Sequence, residues 1–349
     1  MADLSNSLHG IVHIDPTPFP PHLLFLPRML NIWTNTPLPD SSLARLVAAI
    51  APNQLLVSTQ PTNILSAGSA DPLLADADIA FGQPDPDQLL NLPRLKWLHL
   101  STAGYTRYDR PDLRQALSRN SVLVTNSSSV FEEPCAEHVL AFMMASARDL
   151  PRAYSNQLGP HGWPQEDIRD HSRLLIGQSA LLLGFGAIAR RLVELLLPFR
   201  MTIHAIRRNP RGDETIPVHP VGDLENLLPN ADHVVNILPA DQSTGHFFDA
   251  PRFALMKPGA IFYNIGRGST VDQSALIQSL TSNHLAAAYL DVTDPEPLPP
   301  THPLWSAPNC FLTPHTAGGH VNEFDRSVDH FLQNLKRFQS SLPLINQIF

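Results

Sequence analysis

The stretch Ser179-Ala180-Leu181-Leu182-Leu183 passes without a break into Gly184-Phe185-Gly186-Ala187-Ile188-Ala189 and then into a helical pattern over 190–197. A strand that is apolar on both faces belongs inside a sheet covered on both sides, the arrangement that parallel strands with crossover helices provide. Glycines at its end let the backbone turn sharply and come close to whatever lies beyond the strand. Five further apolar runs of this kind follow, at 202–206, 233–238, 260–265, 286–292 and 310–313. The expected architecture of this part is a doubly wound α/β sheet.

Upstream, short apolar runs at 30–33, 54–58, 77–81, 95–100 and 122–125 alternate with helical segments such as 41–50, which predicts a second, smaller α/β lobe. A chain of 349 residues suits two compact domains. Cys135, Val139, Phe142, Met143 and Ser146 recur on a helical period within 132–148, a helix long enough to carry the chain between lobes. The segment 321–338 has an apolar stripe of Phe324, Val328, Phe331, Leu332 and Leu335 and is expected to return to the first lobe. The predicted fold is α/β in two domains. A Rossmann-type dinucleotide-binding domain covers 127–318, and a smaller, discontinuous flavodoxin-like substrate domain is formed by 1–126 and 319–349.

Charge narrows the partners. The formal net charge is −8, from 24 basic and 32 acidic residues, and the longest basic runs are the pairs Arg190-Arg191 and Arg207-Arg208. Nucleic acid is therefore not an expected partner. Cys135 and Cys310, far apart in sequence, fit neither a disulfide framework nor a metal site and are expected to be buried free thiols; no metal is expected. The first 20 residues hold Asp3, His9 and Asp15 and no basic segment followed by an apolar core, and no run approaches a membrane span, so a cytoplasmic location without membrane contact is expected. The 34 prolines sit mostly in short clusters such as Pro16, Pro18, Pro20 and Pro21, which predict rigid loops.

The turn Gly184, Phe185, Gly186, Ala187 and Ile188, set between a buried strand and a helix, suits a pyrophosphate resting on backbone N–H groups at a helix N-terminus. About 20 residues beyond such glycines an NAD-binding fold usually carries an acid for the ribose 2′-hydroxyl. Here the second strand ends instead at Arg207-Arg208, with Arg211 nearby. Adjacent guanidiniums can grip a 2′-phosphate, so NADP is favoured, with NAD as second choice.

Three polar residues follow late apolar strands, at the edge where open α/β sheets bind ligands: Arg267 after 261–266, Glu296 after Leu290-Asp291-Val292, and His315 after 311–314. A cation to polarise an oxo group, a proton donor, and an anion to hold that donor are the minimum set for reducing a 2-oxo acid. The segments Met256-Lys257-Pro258-Gly259, Asn264-Ile265-Gly266-Arg267-Gly268-Ser269-Thr270-Val271-Asp272, Leu290-Asp291-Val292 with Glu296-Pro297-Leu298, and Thr313-Pro314-His315-Thr316-Ala317-Gly318 resemble, in order, the signatures of the D-isomer-specific 2-hydroxyacid dehydrogenase family. Within it the chain is most similar to the glyoxylate/hydroxypyruvate reductase branch.

The resemblance implies that Arg267 contacts the substrate's carboxylate and 2-oxo oxygen, that His315 is the general acid/base, and that Glu296 orients His315. It also puts Asp291 and the carbonyl of Ile265 on the nicotinamide carboxamide, Leu238, Pro239 and Thr244 along the adenosine and phosphate side, and Gly266, His315 and Gly318 against the cofactor. In the first lobe the loop Ser101-Thr102-Ala103-Gly104-Tyr105 resembles the family's carboxylate-binding loop, with the amides of Ala103 and Gly104 facing the substrate beside Ser101 and across from Arg267. Tyr105 and Tyr108 are candidates for shaping the pocket. Homodimerisation is a family expectation.

Departures from the family pattern fall at Ser129, where glycine is common, at Phe131, where a polar residue is common, and at Arg200, which replaces a glycine. They leave the substrate range open among small 2-oxo acids. An alternative of a different class is a cofactor-sensing, corepressor-like binding protein with little turnover, which the set Arg267, Glu296 and His315 argues against. Formate dehydrogenase shares the expected fold but is expected to carry glutamine in place of Glu296.

Overall fold

The computed structural model of the chain describes residues 29–60, 62 and 67–349. The proline cluster at 16–21 lies outside the described residues. Two parallel sheets organise the rest.

The smaller sheet is built from β1 (Asn31–Thr34), β2 (Gln54–Val57), β3 (Ile79–Gly82), β4 (Trp97–Leu100) and β5 (Leu123–Thr125), in the order β2-β1-β3-β4-β5. That is the flavodoxin-like order. Helices α1 (Asp40–Ile50) and α2 (Pro111–Arg119) flank it. β3 and β4 are buried along their whole length, as runs apolar on both faces require.

The long helix α3 (Ser128–Ala147) then leads to α4 (Leu150–Leu158) and α5 (Gln165–His171). α3 starts at Ser128, four residues before the expected 132, because the Asn126 side-chain carbonyl accepts from both Ser128 N–H and Ser128 Oγ–H and seeds the first turn. α4 and α5 bury no residue, so no apolar period marked them in the sequence.

The larger sheet contains β6 (Ser179–Leu183), β7 (Thr202–Ile206), β8 (Val218–His219), β9 (His233–Asn236), β10 (Ile261–Asn264), β11 (Ala287–Leu290) and β12 (Cys310–Leu312). Its order is β12-β11-β10-β9-β6-β7-β8, all parallel. The chain runs outward from β6 through β7 and β8, then returns to β9 on the other side, so the switch point lies between β6 and β9. α6 (Ala187–Leu196) follows β6 and packs on α3; α7 (Leu224–Leu227), α8 (Ala250–Leu255) and α9 (Gln273–Thr281) complete the layers. Leu182, Val235, Tyr263 and Tyr289 face one helical layer with Val139, Met143, Leu192 and Leu196, while Leu181, Val234, Phe262 and Ala288 face the other with Phe253 and Leu276.

The last helix, α10 (Glu323–Gln339), lies on the smaller sheet. Phe331 stacks on Phe81 and Trp97, with ring centroids 4.6 and 5.2 Å apart. Past α10, Ile348 N–H donates to Val124 O and Val124 N–H to Phe349 O, so the C-terminal tail pairs alongside β5. Both cysteines are free; Cys135 is buried as expected, whereas Cys310, on the edge strand β12, is only partly so.

Candidate active site

The glycine turn sits at the switch point. Gly184 has φ +99°, a conformation glycine adopts without strain, and its N–H donates to Ile206 O at 2.9 Å. α6 begins at Ala187 rather than at 190, with Gly186 in an extended conformation as its N-cap and no side chain capping the helix. A Cβ added at Gly186 would meet nothing within 4 Å. The first α6 amides thus stand at an open crevice of the kind that receives a pyrophosphate. Phe185 is buried in the core, and Ile188 packs partly buried against it.

Arg207 and Arg208 emerge at the end of β7, and each has an acidic partner that the sequence did not disclose. Arg207 Nη1 lies 3.4 Å from Glu214, whose carboxylate also receives the N–H groups of Arg211 and Gly212. Arg208 Nη2 lies 3.1 Å from Asp241 and 2.8 Å from Ser243 Oγ. Asp241 and Ser243 belong to the loop after β9 that also holds Leu238, Pro239 and Thr244. The Thr244 hydroxyl is turned inward, donating to Pro239 O at 2.7 Å and receiving Asp241 N–H, so it shapes this loop from within.

The chemistry-bearing residues converge at the ends of β10, β11 and β12. Nδ1 of His315 lies 2.8 Å from Oε2 of Glu296, and Oε1 of Glu296 accepts Thr293 N–H at 2.9 Å. Burial alone would raise the Glu296 pKa; the hydrogen bonds from His315 and Thr293, with the charges of His315 and Arg267, bring it below the ordinary glutamate value. Arg267 is partly buried, Nη1 donates to Gly266 O at 2.6 Å, and no carboxylate among the described residues pairs with it. Its backbone carbonyl is fixed by Asn264 Nδ2 and Thr270 Oγ1, and Thr270 Oγ1 in turn accepts from buried Asn236. Gly266 and Gly268 let these loops close: a Cβ on Gly266 would stand 2.6 Å from Leu238 O, and one on Gly268 would overlap the Thr293 carbonyl.

Across the cleft, Ser101, Ala103 and Gly104 form the loop after β4. A Cβ on Gly104 would overlap Nη2 of Arg267, so this loop and Arg267 are in direct apposition. The N–H groups of Ala103 and Gly104 donate to no protein acceptor among the described residues, while the Ala103 and Thr102 carbonyls are held by Asn126 Nδ2 and Ser127 N–H at 2.7 and 3.1 Å. The result is a fixed turn with two unused donors, set beside the Arg267 guanidinium.

Asp291 has three donors within the chain. Its carboxylate accepts Thr313 Oγ–H at 2.6 Å, Thr316 N–H at 2.8 Å and Ala317 N–H at 2.9 Å, while its carbonyl accepts His315 N–H. Asp291 therefore ties down the turn carrying His315, whose φ of +53° is uncommon for a residue with a side chain. Because Thr313 donates to the carboxylate, its oxygen accepts from His138 Nε2 at 3.1 Å, linking the turn to α3. Ile265 N–H is used by Asn236 O, and Gly318 packs against Phe131 and Cys135. Asn236, Thr270, Asn126 and His138 were not singled out from the sequence; the only signal was a polar residue inside or just beside an otherwise apolar run.

The family model described as "D-isomer specific 2-hydroxyacid dehydrogenase, NAD binding domain" matches residues 140–317. A glyoxylate/hydroxypyruvate reductase B of Citrobacter koseri is 33% identical over 291 residues, covering 80% of this chain and 85% of that protein. Among solved structures, a D-isomer specific 2-hydroxyacid dehydrogenase from Xanthobacter autotrophicus, in complex with NADPH and MES, superposes with a TM-score of 0.76 at 25% identity over 92% of this chain and 98% of that one. A family protein from Aeromonas salmonicida gives 0.73 at 27% identity, over 92% and 99%. By the family model that matches half of its length and by a relative 33% identical over most of both chains, the chain belongs to the D-isomer specific 2-hydroxyacid dehydrogenase family.

Proposed function

We propose that the protein reduces small 2-oxo acids of the glyoxylate and hydroxypyruvate kind to 2-hydroxy acids, using NADPH in preference to NADH. The observation that carries this reading is the His315–Glu296 hydrogen bond at 2.8 Å beside Arg267, which is itself apposed to the free amides of Ala103 and Gly104. The nicotinamide supplies the hydride. The substrate carboxylate is received by the Ala103 and Gly104 amides beside Ser101, with Arg267 on the carboxylate and the 2-oxo oxygen. Arg267 draws electron density toward that oxygen, and its burial strengthens the effect. With Nδ1 engaged by Glu296, His315 gives its proton to the developing alkoxide from Nε2 and takes one there in the reverse direction.

The α6 N-terminus with Gly184, Gly186 and Ala187 would hold the pyrophosphate, and Arg208 with Arg207 the 2′-phosphate. The relative from Xanthobacter, bound to NADPH, supports the choice of cofactor. The same reading divides the chain into a substrate domain of 1–126 with 319–349 and a cofactor domain of 127–318, supported by the Phe331 stack on Trp97 and the pairing of the C-terminal tail with β5. It includes a cytoplasmic location, consistent with the absence, among the described residues, of a helix long and apolar enough to cross a membrane. It also includes a homodimer, for which exposed Leu158 and Trp163 on and beside α4 offer an apolar surface. Steady-state oxidation of NADPH and NADH with glyoxylate and hydroxypyruvate tests the reading; failure of every cofactor and substrate pairing would remove it.

A further inference from the structure

A second cation stands beside the amide loop, outside the three residues of the proposed reaction. Arg107 stands on the short 3-10 turn Thr106–Tyr108, directly after the amide loop. The turn is anchored from beneath: Tyr108 is fully buried and its hydroxyl donates to Pro84 O at 2.9 Å. Arg107 is partly buried, and its Nη1 is shut off from solvent without any hydrogen-bond acceptor. Arg110 and Arg114, on the same stretch, both pair with aspartates; Arg107 pairs with no carboxylate among the described residues, and Asp85, which bears on Tyr108, does not reach it.

Arg267 is likewise without a carboxylate partner, and the two positive charges are close enough to act on each other. Burial first, and the charge of Arg107 after it, hold Arg267 below its ordinary pKa against the opposing pull of Glu296 and Cys135. Guanidinium does not shed its proton in proteins, so two neighbouring arginines with no carboxylate partner form a site whose counter-charge arrives with a ligand. The amides of Ala103 and Gly104, with Arg267, already account for the carboxylate next to the 2-oxo group. Arg107 comes three residues after Gly104, on the next turn of chain.

We propose that Arg107 is a second anion-binding group of the substrate site, receiving an acidic group, carboxylate or phosphate, on the side chain of the 2-oxo acid. This rests on the reductase reading above and extends it: the preferred substrate carries two acidic groups, and glyoxylate, which has no side chain, uses only part of the site.

The test compares kcat/KM for glyoxylate, hydroxypyruvate, oxaloacetate, 2-oxoglutarate and 3-phosphohydroxypyruvate, with NADPH, in the wild-type enzyme and in Arg107→Met and Arg107→Lys. The wild type is expected to favour at least one doubly acidic substrate over hydroxypyruvate by about tenfold or more, the range of one charge-assisted hydrogen bond. Oxaloacetate and 2-oxoglutarate against the phosphorylated substrate tell carboxylate from phosphate. Arg107→Met should raise KM for that substrate far more than for glyoxylate, and Arg107→Lys should restore part of the preference. An enzyme that reduces glyoxylate or hydroxypyruvate but handles all doubly acidic substrates worse overturns the assignment of Arg107 and leaves the reductase reading intact. So does an Arg107→Met variant that weakens every substrate equally. Absence of turnover with any 2-oxo acid removes the reductase reading and this inference with it. The wild-type ranking needs no variant, so a misfolded Arg107→Met leaves the test decisive.

Discussion

Nδ1 of His315 is hydrogen-bonded to Oε2 of Glu296 at 2.8 Å, and the other Glu296 oxygen is taken by Thr293 N–H. The carboxylate is thus fixed at both ends, and its lowered pKa keeps it ionised at neutral pH. Glu296→Gln leaves His315 Nδ1 facing a neutral side chain that no longer holds the ring by charge, so kcat for reduction should fall well below that of the wild type while NADPH binding is kept. Steady-state kinetics of the variant at about pH 7 check this; a kcat equal to that of the wild type would refute the pairing as a catalytic device. For stability, a carboxylate with a depressed folded-state pKa stabilises the fold above the ordinary glutamate value of about 4.3 and loses that contribution as pH falls through its lower folded value.

Asp291 holds the His315 turn through three donated hydrogen bonds on its carboxylate. Asparagine keeps one acceptor but points an NH2 group at donors, so Asp291→Asn should let the turn relax from its left-handed conformation at His315. The expected loss in kcat is on the order of 10²-fold, the usual consequence of displacing a reacting group by about 1 Å. Thr313→Val, which removes the link to His138, should give a smaller loss and Thr313→Ser a smaller one still. Equal activity of Asp291→Asn and wild type would show that the turn is held by other means.

Arg208 is 69% exposed on its side chain and is partnered by Asp241 and Ser243 Oγ. Such an exposed pair contributes little to stability, which leaves the guanidinium available to a phosphate. Arg208→Ala should raise KM for NADPH by about tenfold and alter KM for NADH much less, as loss of a charge-assisted hydrogen bond predicts. Asp241→Asn should act in the other direction on NADPH by releasing Arg208. Equal effects of Arg208→Ala on the two cofactors would remove the 2′-phosphate from this loop.

Burial lowers His233 to about 4 and His99 well below its ordinary value, with His330 adding to the effect at His99. Each is neutral in the fold, with His233 bonded to Tyr263 and Gln178 and His99 to Thr125 and Ser127. The unfolded chain protonates them near pH 6.5, so it binds more protons than the fold below that point and stability falls on acidification. The slope is about 1.4 kcal/mol per pH unit for each histidine. Denaturant titrations at pH 7 and pH 5 should show the loss, and His233→Gln should reduce it; equal stability at the two values would contradict the burial of these rings.

Much of this was legible in the sequence because burial on both faces leaves a plain signature: β6 occupies 179–183 as read from its apolar run, and Arg267, Glu296 and His315 follow late strands as their spacing indicated. The helices α4 and α5 were not legible, because they bury nothing and carry no apolar period. The two-residue strand β8 was not either, since it pairs on one side only, at a sheet edge. The missed site residues share one physical cause. Asn236, Thr270, Asn126 and His138 take part in hydrogen bonds with residues 23 to 175 positions away, and a linear pattern carries no trace of such partners. Glu214 and Asp241 escaped for the same reason: the guanidiniums were visible at the end of β7, their counter-charges were not.

The central claim is that His315 moves the proton at the substrate's 2-oxo oxygen. The direct measurement is the single-turnover rate of NADPH oxidation by glyoxylate or hydroxypyruvate in His315→Gln, alongside a titration of NADPH binding followed by its fluorescence. The account predicts a rate lower by about 10² to 10⁴-fold, the range for loss of a positioned general acid, in a variant that still binds NADPH at the α6 N-terminus. A His315→Gln enzyme turning over within a few-fold of wild type would contradict it.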